Sequence, residues 1–166
     1  MTKYSEFCKA FADGRKRYFD HRDACLWFAD ALVAGMIDYF QVPADHAAYR
    51  PLNEEPKERT TYTVHGAAHL GEDAAWHVGV GIRVEEAPNV EPDEVIVLHI
   101  IIARRPSGTF SVKLESYDED FEVRGPEDEA RIAFYDFVSE KIHEDYGKTV
   151  QWFKEGVGQT KRRIGF

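Results

Sequence analysis

The chain has little of several features that mark whole classes of protein. Only two cysteines, Cys8 and Cys25, occur among its 166 residues, which argues against a disulfide-stapled secreted domain and favours core thiols in a reducing compartment. The first residues carry charges where a secretory signal would need an apolar run, and no stretch is long and apolar enough to span a membrane. We therefore expect a soluble cytoplasmic protein with no membrane contact.

Positive charge is also scarce. The formal net charge is −9, and nucleic-acid binding needs a basic surface, so we expect no nucleic-acid partner. The basic clusters at residues 15–17 and 161–163 are expected to be solvated.

Motifs that identify common enzymes are missing as well. There is no P-loop, no Gly-x-Ser-x-Gly, no Cys-x-x-Cys and no His-Glu-x-x-His. The pair Gly79-x-Gly81 lacks the third glycine of a dinucleotide fingerprint. The sequence therefore assigns no cofactor and leaves open whether the protein is an enzyme.

The most apolar stretch of the chain is Val95–Ala103, with the sequence VIVLHIIIA. Its length and its β-branched residues fit a strand that is buried on both faces. Such a strand needs a neighbouring strand at each edge and cover above and below, which one domain of this size can supply. We expect residues 1–166 to form a single domain, with a mobile tail from about residue 156.

Apolar residues at helical spacing predict helices at both ends of the chain. Gly14 either separates two N-terminal helices or lies within one long helix, and Pro126 is expected to begin the last helix. The predicted helical segments are residues 4–12, residues 15–40 and residues 126–154. Residues 41–59 contain three prolines and are expected to form an irregular connection.

Period-two alternation of apolar and polar residues predicts strands in the middle of the chain. The four predicted strands are Thr60–Ala68, Trp76–Val84, Val95–Arg104 and Thr109–Ser116. The expected fold is α+β: a four-stranded antiparallel meander with an N-terminal helix or helix pair and a long C-terminal helix. The helices are expected to pack on one apolar face of the sheet, and the alternative is that one helix covers the other face. The apolar face is formed by Tyr62, Val64, Trp76, Val78, Val80, Leu98, Ile100, Phe110 and Val112.

Three histidines fall on the opposite face of the predicted sheet. A hairpin centred on Gly71 would place His65 opposite His77, and one centred on Pro88 would place His77 opposite His99. A turn centred on Ser107 would place His99 opposite Glu115.

A row of three imidazoles can hold a transition metal, because adjacent side chains on one face lie about 5 Å apart. The sequence therefore predicts a metal site at His65, His77 and His99, and a ligand-binding set that adds Glu115, Arg83 and Lys113. The alternative is that His65 and His77 are ordinary surface residues and that His99 is a hydrogen-bonded core histidine.

Gly79 and Gly81 lie on the same face as His77, and glycine in a strand interior suggests that something approaches the backbone closely. A packed helix or a second subunit is favoured over an open ligand platform. Because Val95, Val97 and Ile101 add apolar surface there, we expect a homodimer.

Two functions of different classes follow from these patterns. The first is a binding or adaptor protein with a protein or small-molecule partner, and the second is a metal-dependent or small-molecule enzyme that uses the histidine row.

Overall fold

The computed structural model describes residues 2–88, 90–154 and 162–164. Its helices are α1 (Lys3–Tyr39), the short α2 (Val64–Ala67) and α3 (Ala130–Lys154), with a 3-10 turn at Ala44–His46. Its strands are β1 (Ala47–Arg50), β2 (His69–Leu70), β3 (Trp76–Ala87), β4 (Val90–Arg104), β5 (Phe110–Leu114), β6 (Phe121–Val123) and β7 (Arg162–Ile164). The predicted α+β class is confirmed, with seven strands in the described residues rather than four.

The long strands β3 and β4 form the centre of one sheet. The strand order is β1-β3-β4-β5-β6, and every one of these pairs is antiparallel. The two-residue strand β2 also pairs with β3, and β7 runs parallel to β4. The predicted meander of strands 76–84, 95–104 and 109–116 is therefore the core of a larger sheet.

The helices pack on one face of the sheet, as expected. Phe28 of α1 stacks on Phe110 of β5 with ring centroids 4.0 Å apart, and Phe134 of α3 contacts Phe121 of β6. Trp76 is only 5% exposed, which confirms its predicted inward orientation. The fully buried members of this core include Phe28, Leu32, Met36, Val78, Leu98, Ile100, Ile102, Val112, Leu114, Phe134 and Val138.

The N-terminal helix is continuous through Gly14, so the open choice between one helix and two is decided in favour of one. A glycine inside a helix costs about 1 kcal/mol relative to alanine. Ion pairs four residues apart, Lys9–Asp13 at 2.9 Å and Lys16–Asp20 at 2.7 Å, lie on either side of it, and pairs with this spacing stabilise a helix. No helix in the described part of the chain has the length and apolarity needed to cross a membrane.

The prediction of a strand at Thr60–Ala68 is wrong. Residues 60–63 are irregular and Val64–Ala67 is a helical turn in which Val64 and Ala67, three residues apart, are the buried pair. The edge position beside β3 is taken instead by β1, in the segment predicted to be irregular. Tyr49 anchors β1 to α1 by donating its hydroxyl to Asp30 Oδ1 at 2.7 Å.

The predicted start of the last helix at Pro126 is also wrong. The carboxylate of Asp128 accepts the N–H groups of Arg124, at 2.8 Å, and Ala130, at 3.1 Å. This turn holds residues 124–128 outside the helix, so α3 begins at Ala130 and extends to Lys154. The predicted mobile tail falls largely on residues 155–161 and 165–166, which lie outside the described residues.

Candidate functional site

The registers of the three central strands confirm which residues share the outer face, the sheet face opposite the helical core. Directly opposed residues of an antiparallel pair lie on the same face. Gly79 is opposite His99, Gly81 is opposite Val97, and Ile101 is opposite both His77 and Lys113. The outer face therefore carries the predicted candidates from β3, β4 and β5.

Two of the three predicted hairpin registers are wrong, one by four residues and one by two, and the third is confirmed. His77 pairs with His69 rather than His65, and His99 pairs with Gly79 rather than His77. A bulge between Glu85 and Ala87 shifts the β3–β4 register away from a simple turn centred on Pro88. The turn at Ser107 is as predicted: Gly108 has φ +87°, and the N–H of Glu115 donates to the carbonyl of His99 at 3.0 Å.

Three imidazoles still meet at one end of the outer face. We call His69, His77, His99 and Asp73 the histidine cluster. His77 Nδ1 lies 2.6 Å from His99 Nε2, and His77 Nε2 lies 3.0 Å from both oxygens of Asp73. The ring of His69 stacks on that of His77, with centroids 5.1 Å apart and planes 19° apart.

The hydrogen bonds set the positions of the protons in this cluster. The carboxylate of Asp73 only accepts, so His77 Nε2 carries a proton toward it, and in a neutral His77 the other nitrogen accepts from His99 Nε2. Burial and, to a smaller extent, the neighbouring His77 and His69 lower the pKa of His99 to about 4. Burial would raise the pKa of Asp73, but hydrogen bonds from His77 and from the Ala75 N–H outweigh it and lower that pKa. A neutral His99 and an ionised Asp73 are therefore favoured.

The cluster is open at its carboxylate end and closed at its imidazole end. The side chain of Asp73 is 47% exposed and that of His77 13% exposed, whereas His99 is buried. In a hydrolytic triad the order is reversed, because a buried carboxylate orients an imidazole that faces the substrate. Gly71 packs closely against Asp73 and His77, since a Cβ at residue 71 would lie 2.6 Å from Asp73 Oδ1.

The remaining predicted site residues lie outside the histidine cluster. His65 is on α2, where Nε2 lies 4.0 Å from Asp23 Oδ1 of α1. Glu115 accepts from the neighbouring Ser116 hydroxyl at 3.0 Å, and Lys113 lies on β5 opposite Ile101. The structure therefore joins His77 and His99 but not His65. Within the described residues, no group of three or more His, Cys, Asp or Glu side chains has an arrangement that could hold a metal ion.

Arg83 lines a separate cavity of about 410 Å³ near the other end of the outer face. The cavity lies between the sheet residues Arg50, Gly81 and Val95 and the loop residue Tyr62. We call it the arginine pocket. Its volume is within the range of small-molecule sites.

Charges in the arginine pocket are largely paired around His46. Its ring nitrogens lie 2.8 Å from Asp45 Oδ1 and 2.7 Å from Glu85 Oε1, and the hydrogen bonds that it donates to Asp45 and then to Glu85 raise the pKa of His46. Arg83 lies 3.4 Å from Glu85 and 3.9 Å from Asp93, yet its buried Nε has no hydrogen-bond partner in the described part of the chain.

The close approach predicted at Gly79 and Gly81 comes from the chain itself. A Cβ at Gly79 would collide with the carbonyl oxygen of Arg50 and with Leu52, and one at Gly81 would lie 2.9 Å from Cδ of Arg50. Val97 and Ile101 are 7% and 6% exposed. Most of the apolar surface from which a dimer was predicted is therefore covered within one chain, while Val95 is half-buried at the arginine pocket.

An exposed apolar stripe occurs instead on the N-terminal half of α1. Tyr4, Phe7 and Phe11 are 76%, 66% and 68% exposed, and Tyr18 is 46% exposed. Gly14 falls between Phe11 and Tyr18. Together with it, these residues are spaced alternately three and four positions apart, which is the spacing of the seam of a coiled coil. We call these four aromatic residues the aromatic stripe. It continues the same helix face that is buried on the sheet from Cys25 onward.

Sequence reasoning missed His69, Asp73, Arg50 and His46. Gly71 was taken as the centre of a hairpin, whereas the turn is closed by Asp73, whose Oδ1 accepts the N–H of Ala75 at 3.1 Å. An Asp whose side chain accepts the N–H two residues further along is a recognisable turn signal, and it could have shifted the predicted partner from His65 to His69. Arg50 and His46 lie in the stretch predicted to be irregular.

Comparison of the chain with protein-family models, with curated protein sequences and with solved structures finds no match.

Proposed function

We propose that this protein is a cytoplasmic binding or adaptor protein that acts as a homodimer through the aromatic stripe of α1. The observation that carries the proposal is the exposure of four aromatic side chains at coiled-coil spacing on one helix face. Contiguous exposed apolar surface on a small protein marks an interaction site.

A second copy of the chain is the partner that fits this seam best. A seam with alternating spacing of three and four packs against another helix with the same spacing. The corresponding face of α3 is occupied by the sheet, since Phe134 and Val138 are fully buried. Two copies of α1 in antiparallel orientation would bury each other's stripe in a self-complementary interface.

The available area agrees with a weak dimer. An aromatic side chain can bury about 150–250 Å², so the exposed fractions of the stripe correspond to roughly 500 Å² per chain. Two chains would bury roughly 1,000 Å² through these rings, close to the lower limit of specific interfaces. Arg15, whose guanidinium lies 5.8 Å from the Phe11 ring centroid and 4.9 Å from that of Phe19, adds a side chain type enriched at interfaces.

Charge also favours contact between copies. Residues 3–20 contain five Lys and Arg against three Asp and Glu, whereas the whole chain carries −9. In an antiparallel pair the basic tip of each α1 would lie near the acidic body of its partner, which favours association.

The test is the oligomeric state of wild type, Phe11→Glu and Ala12→Glu by sedimentation velocity. We expect a wild-type dimer at about 50 μM, consistent with a micromolar Kd. Phe11→Glu should be a monomer, because it places a charge in the seam, and Ala12→Glu, which adds the same charge one residue away, should remain dimeric. A monomeric wild type at this concentration, or equal effects of the two variants, would overturn the proposal.

A second candidate function rests on the hydrogen-bond chain from Asp73 through His77 to His99. Such a chain can move protons, so an enzyme that uses the histidine cluster in general acid–base or metal chemistry is the alternative. The exposed carboxylate and the buried far imidazole make this the weaker candidate. A metal ion would have to displace the proton shared between His77 and His99, so binding should weaken as the pH falls.

Calorimetric titration of zinc into wild type, His77→Ala and His65→Ala tests the metal alternative. If the cluster binds zinc, His77→Ala should lose binding, and His65→Ala should retain it because His65 lies on α2. Loss of binding in His65→Ala would instead support the ligand set predicted from the sequence. No saturable binding at about 50 μM protein would remove the metal alternative.

A further inference from the structure

We propose that the arginine pocket binds a small organic monocarboxylate, with Arg50 as the residue that recognises the carboxylate. The inference concerns the outer face alone, so it stands or falls independently of the dimer.

Arg50 is the unpaired cation of the pocket. Unlike Arg83 and His46, its side chain forms no hydrogen bond and no ion pair with any residue in the described ranges 2–88, 90–154 and 162–164. Its side chain is half-buried, and an arginine is seldom fully buried unless its charge is paired. An external anion would supply that partner.

The position of Arg50 is fixed by the backbone around it. Arg50 pairs with Gly79 at the end of β1, and its side chain turns along β3, so that Cδ lies over Gly81. The missing side chain at Gly81 lets the aliphatic part of Arg50 lie flat on the sheet. A guanidinium held in this way keeps its planar fork available for a bidentate contact with a carboxylate.

The charge balance selects one negative charge rather than two. Around the cavity, the three carboxylates of Asp45, Glu85 and Asp93 face only two cationic side chains, His46 and Arg83, so the set has no surplus positive charge even with Arg50 included, although the Arg50 guanidinium is paired with none of them. A phosphate dianion would bring excess negative charge close to these carboxylates, and like charges repel at short range. A carboxylate matches the single free cation.

The rest of the lining accommodates an apolar body. Val95 lies on the sheet side and Pro56 and Tyr62 on the loop side. Tyr62 is held in place because its hydroxyl accepts the N–H of Lys57 at 2.9 Å. Mostly apolar walls with a few placed polar groups are typical of small-molecule sites.

The experiment is a titration of the full-length protein with 3-phenylpropanoate, followed through the backbone amide NMR signals of Ala48, Gly81 and Val95. The two comparison probes are 3-phenylpropanol, which lacks the charge, and phenyl phosphate, which can carry two. We expect the signals of these amides to shift and saturate at 3-phenylpropanoate concentrations below about 10 mM, since a weak contact has a Kd of about 1 mM. The other two probes should cause weaker shifts or none.

Two variants assign the effect to Arg50, and one controls for net charge. Arg50→Gln should weaken binding by about tenfold or more, the loss expected for a charge-assisted hydrogen bond. Gly81→Ala should also weaken it without removing a charge, because the added methyl group displaces Arg50. Arg124→Gln removes a positive charge from the exposed turn before α3 and should leave binding unchanged.

Several results would overturn the assignment. If 3-phenylpropanoate causes no saturable shift at about 10 mM, well above the millimolar Kd of a weak contact, the pocket does not bind such a ligand. Equal binding of the alcohol would remove the role of the charge, and tighter binding of phenyl phosphate would replace the monoanion by a dianion. Unchanged binding in Arg50→Gln would locate the carboxylate elsewhere.

Discussion

The stability of the fold should depend on pH through His99, and the size of the effect follows from its burial. His99 is 7% exposed, and its pKa is lowered, mainly by burial, from 6.5 to about 4. In the unfolded chain this imidazole takes up a proton near pH 6.5, whereas in the folded chain it does so only near pH 4. Between these values the unfolded state binds more protons, so stability decreases as the pH decreases.

The magnitude comes from the size of the shift. One pKa unit corresponds to about 1.4 kcal/mol, so the shift of His99 corresponds to about 3 kcal/mol when fully expressed, of which about 2 kcal/mol is lost between pH 7 and pH 5. This is a large fraction of the total stability of a typical domain.

Urea unfolding of wild type and His99→Gln at pH 7, 6 and 5 measures the contribution of His99, as the difference between the free energies of unfolding of the two proteins. Glutamine cannot titrate but keeps a polar group beside His77. His46 acts in the opposite direction, because its raised pKa adds stability at low pH, and the difference cancels it. His65→Gln controls for the loss of a histidine outside the cluster. Equal pH dependence in wild type and His99→Gln would refute the reasoning.

Three further substitutions test the packing of the sheet. Trp76→Ala should reduce the free energy of unfolding by about 3–5 kcal/mol, the usual range for a buried aromatic, and a urea titration that finds a loss below about 1 kcal/mol would mean that β3 faces the other way. Gly79→Ala should be severely destabilising in the same assay, because its methyl group would meet the backbone carbonyl of Arg50. Gly81→Ala should cost much less, since its neighbour is the flexible end of a side chain; equal losses for the two glycines would contradict the β1–β3 register.

The sequence was informative about the sheet face of each residue and much less so about its cross-strand partner. Alternation with period two depends only on whether a residue is odd or even along the strand. A register error of two residues leaves the face unchanged and moves the partner by about 7 Å. This is why His77, His99 and Arg83 were correctly predicted on one face, while His99 was wrongly paired with His77 instead of Gly79. His65 was wrongly paired for another reason, because it lies on α2 and not on a strand.

The residues that complete the histidine cluster and the arginine pocket could not be predicted by periodicity, because they lie in turns and in a short edge strand. Asp73 reaches His77 from the β2–β3 turn, and Arg50 ends a four-residue strand. Their positions depend on tertiary contacts: Tyr49 of β1 is held by Asp30 of α1, a contact between segments with no common sequence pattern. Local patterns carry no information about such contacts.

The division of the outer face into the histidine cluster and the arginine pocket also comes from tertiary contacts. His77 and Arg83 are six residues apart on β3, about 20 Å at the usual rise per residue, and Gly79 and Gly81 lie between them. From the sequence, these glycines indicated only that something packs closely there. In the structure, Arg50 and Leu52 fill that position. The same contact therefore covers the apolar centre of the face, separates the histidine cluster from the arginine pocket, and fixes the arginine that we propose as the carboxylate ligand. A substitution at Gly81 should consequently affect the arginine pocket and leave the hydrogen bonds of His77 intact, whereas one at Gly79 should disturb the covering segment as a whole.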